Sequence, residues 1–139
     1  VSAALVLDAS VALAWCFADE ATLAAWQVLE RLDAESAIAP SLMPVEVANV
    51  LALAERQGRI TAARVSEFVD LIERLPIEFD EETRARALRQ VLDLARSARL
   101  TAYDTCYLEL AMRRGLPLAS KDVRLRDAAT RLGVALLGA

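Results

Sequence analysis

The chain contains no histidine. That absence removes the Ser/His/Asp triad, any ribonuclease working through imidazole acid–base chemistry, and every His-ligated zinc site. Cysteine is scarce. Cys16 and Cys106 are the only two, and they lie too far apart for a C-x-x-C pair. Two such thiols fit a reduced, cytoplasmic setting and read as small buried hydrophobes. Glycine is scarce as well, and Gly58, Gly115, Gly133 and Gly138 cannot build a GxGxxG or Walker loop. Aromatics make up only 5%, so the core must be aliphatic and rich in alanine. No stretch reaches the roughly 18 consecutive apolar residues of a membrane span. The longest, 9–18, stops at Asp19 and Glu20, and no basic segment precedes it as a secretion signal requires.

What is present suits one folded domain over 1–139. Hydrophobic residues are 56% and charged residues 26%, which excludes a disordered chain. A chain of this length buries about two-thirds of its unfolded surface and needs no disulfide or metal to fold. The net charge of −4 argues against broad electrostatic coating of nucleic acid, yet leaves room for a local basic patch or an anion site built around a metal.

Short apolar runs alternate with helical patterns. Leu5-Val6-Leu7 reads as a strand buried on both faces. Helices follow over 10–17 and 20–32, the second with Leu23, Trp26, Val28, Leu29 and Leu32 inward. A strand at 37–39 closes at Pro40. Pro44 opens a long helix with Val45, Ala48, Leu51 and Leu53 inward, ended by Gly58. Thr61 opens its hairpin partner, with Val65, Phe68, Val69 and Ile72 inward. A strand at 77–79 precedes a helix capped by Asp80 and running to Arg99. Further segments are a helix over 101–114, a strand over 116–119, a helix over 122–132 and a strand over 134–137. The alternation predicts an α/β fold with a short parallel sheet and helices on both faces.

In such sheets ligands bind at the carboxyl ends of the strands, near the switch in strand order. Asp8 ends the first strand and Asp122 follows a later one. Glu46 and Asp104 stand in the first turns of helices. Each acid has an ordinary explanation, since acids cap helices and complement the dipole, and Thr101-x-x-Asp104 reads as a capping box. Capping does not explain why no basic residue stands beside Asp8 or Asp104. Clustered carboxylates repel unless a cation joins them. An all-oxygen donor set suits Mg²⁺ or Mn²⁺, which keeps several waters and takes one or two protein carboxylates. Spacing alone supports an acidic cation site in an α/β domain.

These motifs resemble the PIN-domain family, in particular the VapC-type toxins of bacterial toxin–antitoxin pairs. The likeness is carried by Val6-Leu7-Asp8-Ala9-Ser10, by Pro44-Val45-Glu46-Val47-Ala48-Asn49-Val50-Leu51, by Thr101-Ala102-Tyr103-Asp104-Thr105-Cys106-Tyr107-Leu108, and by Leu118-Ala119-Ser120-Lys121-Asp122, with Ser120 where the family often has Thr. The resemblance implies a three-layer α/β/α fold and a metal-dependent endoribonuclease that cuts RNA by water attack, leaving a 3′-hydroxyl and a 5′-phosphate. It implies Asp8 and Asp104 as direct metal ligands and Glu46 and Asp122 as ligands through water. Ser10 and Ser120 become candidates for holding the carboxylates in place, with helix capping as their ordinary role. Lys121 and Arg124 are candidates for substrate phosphate, with a plain surface role as the alternative. Arg124 stands where some members carry a further acid, and Asp127 reads as a solvated residue, so the number of metal ions stays open. The resemblance also implies an antitoxin partner, seated on the helix hairpin 45–72, and a homodimer.

Three other readings compete. One is a non-catalytic interaction module whose acids only cap helices. Another is a PIN nuclease in RNA processing without an antitoxin. A phosphotransfer protein would want a second acid at Ser10, or paired acids after the first strand and a Lys after the last, and neither pattern is present.

Overall fold

The computed structural model describes residues 2–138. The first strand, β1 (Leu5–Leu7), is fully buried and leads directly into α1 (Ala9–Ala14). A 3-10 turn (Ala18–Glu20) and α2 (Leu23–Arg31) follow, then β2 (Ala37–Pro40). The hairpin consists of α3 (Met43–Arg56) and α4 (Ala62–Arg74), and β3 (Ile77–Asp80) comes next. A broken helical run comprises α5 (Thr83–Arg86), a π-helical turn (Ala87–Val91) and α6 (Leu92–Ala98). The chain continues through α7 (Ala102–Arg114), β4 (Leu118–Ala119), α8 (Val123–Arg131) and β5 (Leu136–Leu137).

The five strands form one parallel sheet in the order β3-β2-β1-β4-β5. Right-handed crossovers then dictate the layers. Stepping from β1 to β2 to β3 puts α1–α4 on one face, and the return past β1 to β4 and β5 puts α5–α8 on the other. The chain is therefore a three-layer α/β/α sandwich. The direction of travel reverses between β1 and β4, which opens a crevice at their carboxyl ends. The core is aliphatic, as the low aromatic content requires. Leu5, Val6 and Leu7 are wholly buried, with Ile38, Leu118 and Leu125 beside them in the same cluster. Trp15 is also buried, and its indole nitrogen donates to the Ala25 carbonyl at 2.8 Å. Among the described residues no helix is long and apolar enough to cross a membrane.

Several sequence expectations need correction. In α2 the inward residues are Ala25, Val28 and Leu32, which recur at i, i+3 and i+7 on one helical face, while Leu23 and Trp26 face outward. In α3 the buried stripe is Met43, Val47, Leu51 and Ala54, so Val45, Ala48 and Leu53 are exposed. Val69 of α4 is likewise exposed, leaving Phe68 as its fully inward residue. Asp80 caps no helix. It ends β3, its carboxylate is held by Arg113 at 2.7 Å, and the helical run begins three residues later and is broken by the π turn. The last two strands are shorter than their apolar runs.

Candidate active site

Asp8 lies at the end of β1, at the crevice. Its backbone has the extended geometry of a helix cap, but its side chain makes no cap hydrogen bond. Instead, Oδ2 accepts from the hydroxyl of Ser10 at 2.5 Å and from that of Ser120 at 2.8 Å. Both serines are oriented by the backbone. Ser10 Oγ accepts from the Lys121 amide at 2.9 Å, and Ser120 Oγ accepts from the Asp122 amide at 3.1 Å. With those lone pairs occupied, each hydroxyl proton turns toward Asp8. Asp8 is only 5% exposed. Burial pushes its carboxyl up to about 6, the two serine hydrogen bonds oppose that, and the nearby charges of Asp104 and Asp122 push it further up.

Glu46 enters from the first turn of α3. Its Oε1 accepts from the hydroxyl of Tyr107 at 2.5 Å. Burial raises its pKa, Tyr107 lowers it, and the charges of Asp8 and Asp104 raise it again. Tyr107 is itself wholly buried, and burial followed by the bond to Glu46 keeps its phenol protonated.

Asp104 and Tyr107 come from the same helix, three residues apart and on one face. Thr101 caps α7, accepting from the Asp104 amide at 3.1 Å, so the Asp104 carboxylate is not the capping acceptor. Burial raises its pKa, the Asp122 charge adds to the rise, and Thr101 lowers it. Asp122 behaves differently. It caps α8 through Oδ1, which accepts from the Leu125 amide at 2.9 Å, and one carboxylate oxygen is left over.

The four acids thus feel one another across the crevice, and among the described residues none of them forms an ion pair. Nor do three acidic side chains, among the described residues, converge as a ready-made metal cage. A cage is not required by Mg²⁺, which binds through one or two carboxylates and keeps its waters. The donors present are all oxygen, uncompensated, and include one buried carboxylate held by two hydroxyls. That set fits a small hard divalent cation and suits no soft metal.

Other candidates fall elsewhere. Lys121 is occupied, its ammonium donating to the Glu20 carbonyl and tying the loop after β4 to the 3-10 turn. Arg124 is exposed at the start of α8. Cys16 and Cys106 are buried free thiols, and burial followed by the charges of Glu109 and Glu46 pushes Cys106 up to about 11, so it is no nucleophile at neutral pH. The role of Tyr107 was not visible in the sequence, where a helical tyrosine reads as core. The available signal was its position one turn after Asp104. Beside Glu46 lies a cleft of about 410 Å³ lined by Val45, Asn49, Val50 and Tyr103.

The family model described as PIN domain matches residues 5–130. The chain is similar in fold to the crystal structure of PAE2754 from Pyrobaculum aerophilum, with a TM-score of 0.71 and 21% sequence identity, over 96% of this chain and 89% of that one. No curated protein matches it significantly.

Proposed function

The chain belongs to the PIN domain family, whose members are generally nucleases and typically use divalent metals, and from that premise we propose that it is a Mg²⁺- or Mn²⁺-dependent endoribonuclease, the toxin of a cytoplasmic toxin–antitoxin pair. The observation that carries this reading is the treatment of Asp8. Two backbone-oriented hydroxyls hold a buried carboxylate beside three further acids with no basic partner among the described residues. Such an arrangement opposes folding unless a cation completes it.

Asp8 and Asp104 would hold the ion directly, and Glu46 and Asp122 through water. When bound, the cation supplies charge neutralisation for an RNA phosphodiester and acidifies a water at neutral pH. The chain's own residues supply the rest. Ser10 and Ser120 fix the carboxylate of Asp8. Tyr107 holds Glu46 by Oε1, which leaves Oε2 to take the proton of the attacking water. Asp122, anchored by its cap, offers a single oriented oxygen. Cleavage leaves a 3′-hydroxyl and a 5′-phosphate.

The proposed antitoxin is an amphipathic segment. Between α3 and α4 lies a cleft of about 220 Å³ whose walls include Val47, Leu51, Phe68, Ile72 and Phe79, and its apolar character suits helix-in-groove recognition. A basic side chain of that partner would neutralise the acids. A homodimer is part of the same proposal.

The test is cleavage of RNA against divalent-ion concentration, for the wild type and Asp104→Asn. Ion-dependent cleavage by the wild type, lost in the near-isosteric variant with its fold intact, is the expected result. Undiminished cleavage by Asp104→Asn overturns the assignment.

A further inference from the structure

A second cleft opens between the end of α6 and the outer face of α8. It has a volume of about 360 Å³ and is lined by Ala98, Arg99, Leu100, Arg124, Asp127 and Arg131. Three arginines and one aspartate are among the residues that line it, in a chain whose net charge is −4. Among the described residues none of these arginines forms an ion pair, although Asp127 shares the cleft. Arg31, Arg59, Arg64, Arg86, Arg96 and Arg113 are paired with acids, whereas this cleft gathers three of the arginines without an ion pair in one place.

The position of the cleft ties it to the acids. Arg124 follows Asp122 by two residues, and Arg99 precedes Asp104 by five, so the cleft adjoins two of the four acid-bearing segments. Arg124 and Arg131 share a face of α8 and stand roughly 10 Å apart along its axis.

Arg99 has a second peculiarity. It ends α6 with a left-handed backbone, φ 58°, and among the described residues it is the one non-glycine with positive φ. Glycine takes that position without steric cost, so the backbone gives no reason for an arginine.

We propose that this cleft binds the phosphodiester backbone of the nucleic-acid strand flanking the scissile bond, with Arg99, Arg124 and Arg131 as the phosphate-binding groups. The proposal rests on the nuclease reading above. Guanidinium forks match phosphate oxygens in geometry as well as charge. Contacts of this kind set register and affinity and carry no base preference.

The experiment measures binding of a labelled single-stranded RNA of about 20 nucleotides, and of a DNA strand of the same sequence, as a function of salt. A chelator keeps the strands intact. Arg99→Gly, Arg124→Ala and Arg131→Ala are compared singly and together with the wild-type chain, and Arg114→Ala at the far end of α7 serves as the charge control. Each cleft variant should lower the log–log salt slope by about 0.7, and the triple variant by about 2, which is roughly 100-fold weaker binding at ~0.1 M salt. The loss should be alike for RNA and DNA. Arg99→Gly should keep or raise the thermal midpoint while losing affinity, which separates binding from folding.

A wild-type slope in the triple variant, with wild-type protein binding and cleaving RNA, overturns the phosphate cleft and leaves the nuclease reading standing. A changed sequence preference with an unchanged slope also overturns it, in favour of base contacts. A wild-type chain that neither binds nor cleaves RNA overturns both.

Discussion

The hydroxyl of Tyr107 donates to Glu46 Oε1 at 2.5 Å, joining α7 to α3 across 61 residues of chain. The same helix delivers Asp104 one turn earlier, so a single rigid element positions one acid directly and a second through its phenol.

Tyr107→Phe keeps the buried volume and removes only that donor. Groups that orient ligating carboxylates are worth about 10–100-fold in metal affinity or activity. A loss of that size is expected in ion-dependent cleavage, with a stability cost of about 2 kcal/mol. Because the bond lowers the pKa of Glu46, its removal should move the acid limb of the pH–rate profile to higher pH. A pH–rate series with a wild-type acid limb would remove Tyr107 from the site.

Asp8 predicts an unusual dependence of stability on pH. Its carboxyl is raised from 3.8 to about 6, so between those values the folded state binds more protons than the unfolded one. Stability therefore falls as pH rises through this window, and the penalty is complete above it. In chelator, Asp8→Asn should be more stable than wild type at pH 8 by about 3 kcal/mol, and equal to it near pH 4. Urea unfolding at the two pH values checks this, and an equal difference at both would count against it.

Divalent ions should reverse that penalty. At a concentration a hundred times its Kd, a ligand adds about 2.7 kcal/mol of stability. Mg²⁺ or Mn²⁺ should raise the melting temperature of the wild type more at pH 8 than at pH 5, because the acids must be ionised to bind. Asp104→Asn should lose most of the shift in the same thermal scan.

Arg113 makes the opposite kind of site. It contacts Asp80 at 2.7 Å and Glu109 at 2.9 Å, all three nearly buried, and reaches Glu82 at 3.3 Å. Burial alone would raise the pKa of Asp80, but the Arg113 and Thr83 hydrogen bonds and the Arg113 charge lower it overall. That stabilisation is present above the unfolded carboxylate pKa and lost as pH falls through the depressed one. Arg113→Met leaves the two buried carboxylates of Asp80 and Glu109 without their cation and should cost about 3–5 kcal/mol at pH 7. The deficit should shrink in urea titrations toward acid pH, as the orphaned carboxylates take up protons.

The contrast between Asp80 and Asp8 explains what could be read from the chain in advance. The parallel scaffold was legible because strands buried on both faces must be continuous apolar runs, and Leu5–Leu7 is one. The four acids stood out because each sits at a strand end or a helix start. Their chemistry was less visible, since a helix start also invites an ordinary cap. Asp122 does cap its helix, Asp8 does not, and only the placement of Ser10 and Ser120 separates the two. Asp80 looked like a cap because its partner Arg113 lies 33 residues away. The π turn left no mark that periodicity could detect, and α2 and α3 carry more apolar residues than their inward faces take up, so Leu23, Trp26, Val45 and Leu53 stay exposed.

The place of β1 at the centre of the sheet has a consequence for the timing of synthesis. One of its edges is paired by β2, soon after it in the chain, and the other waits for β4 at Leu118–Ala119. A polypeptide still emerging from the ribosome lacks that wall, the Ser120 hydroxyl and Asp122 together. The acid-lined crevice between β1 and β4 is therefore completed only once Asp122 has been added to the chain.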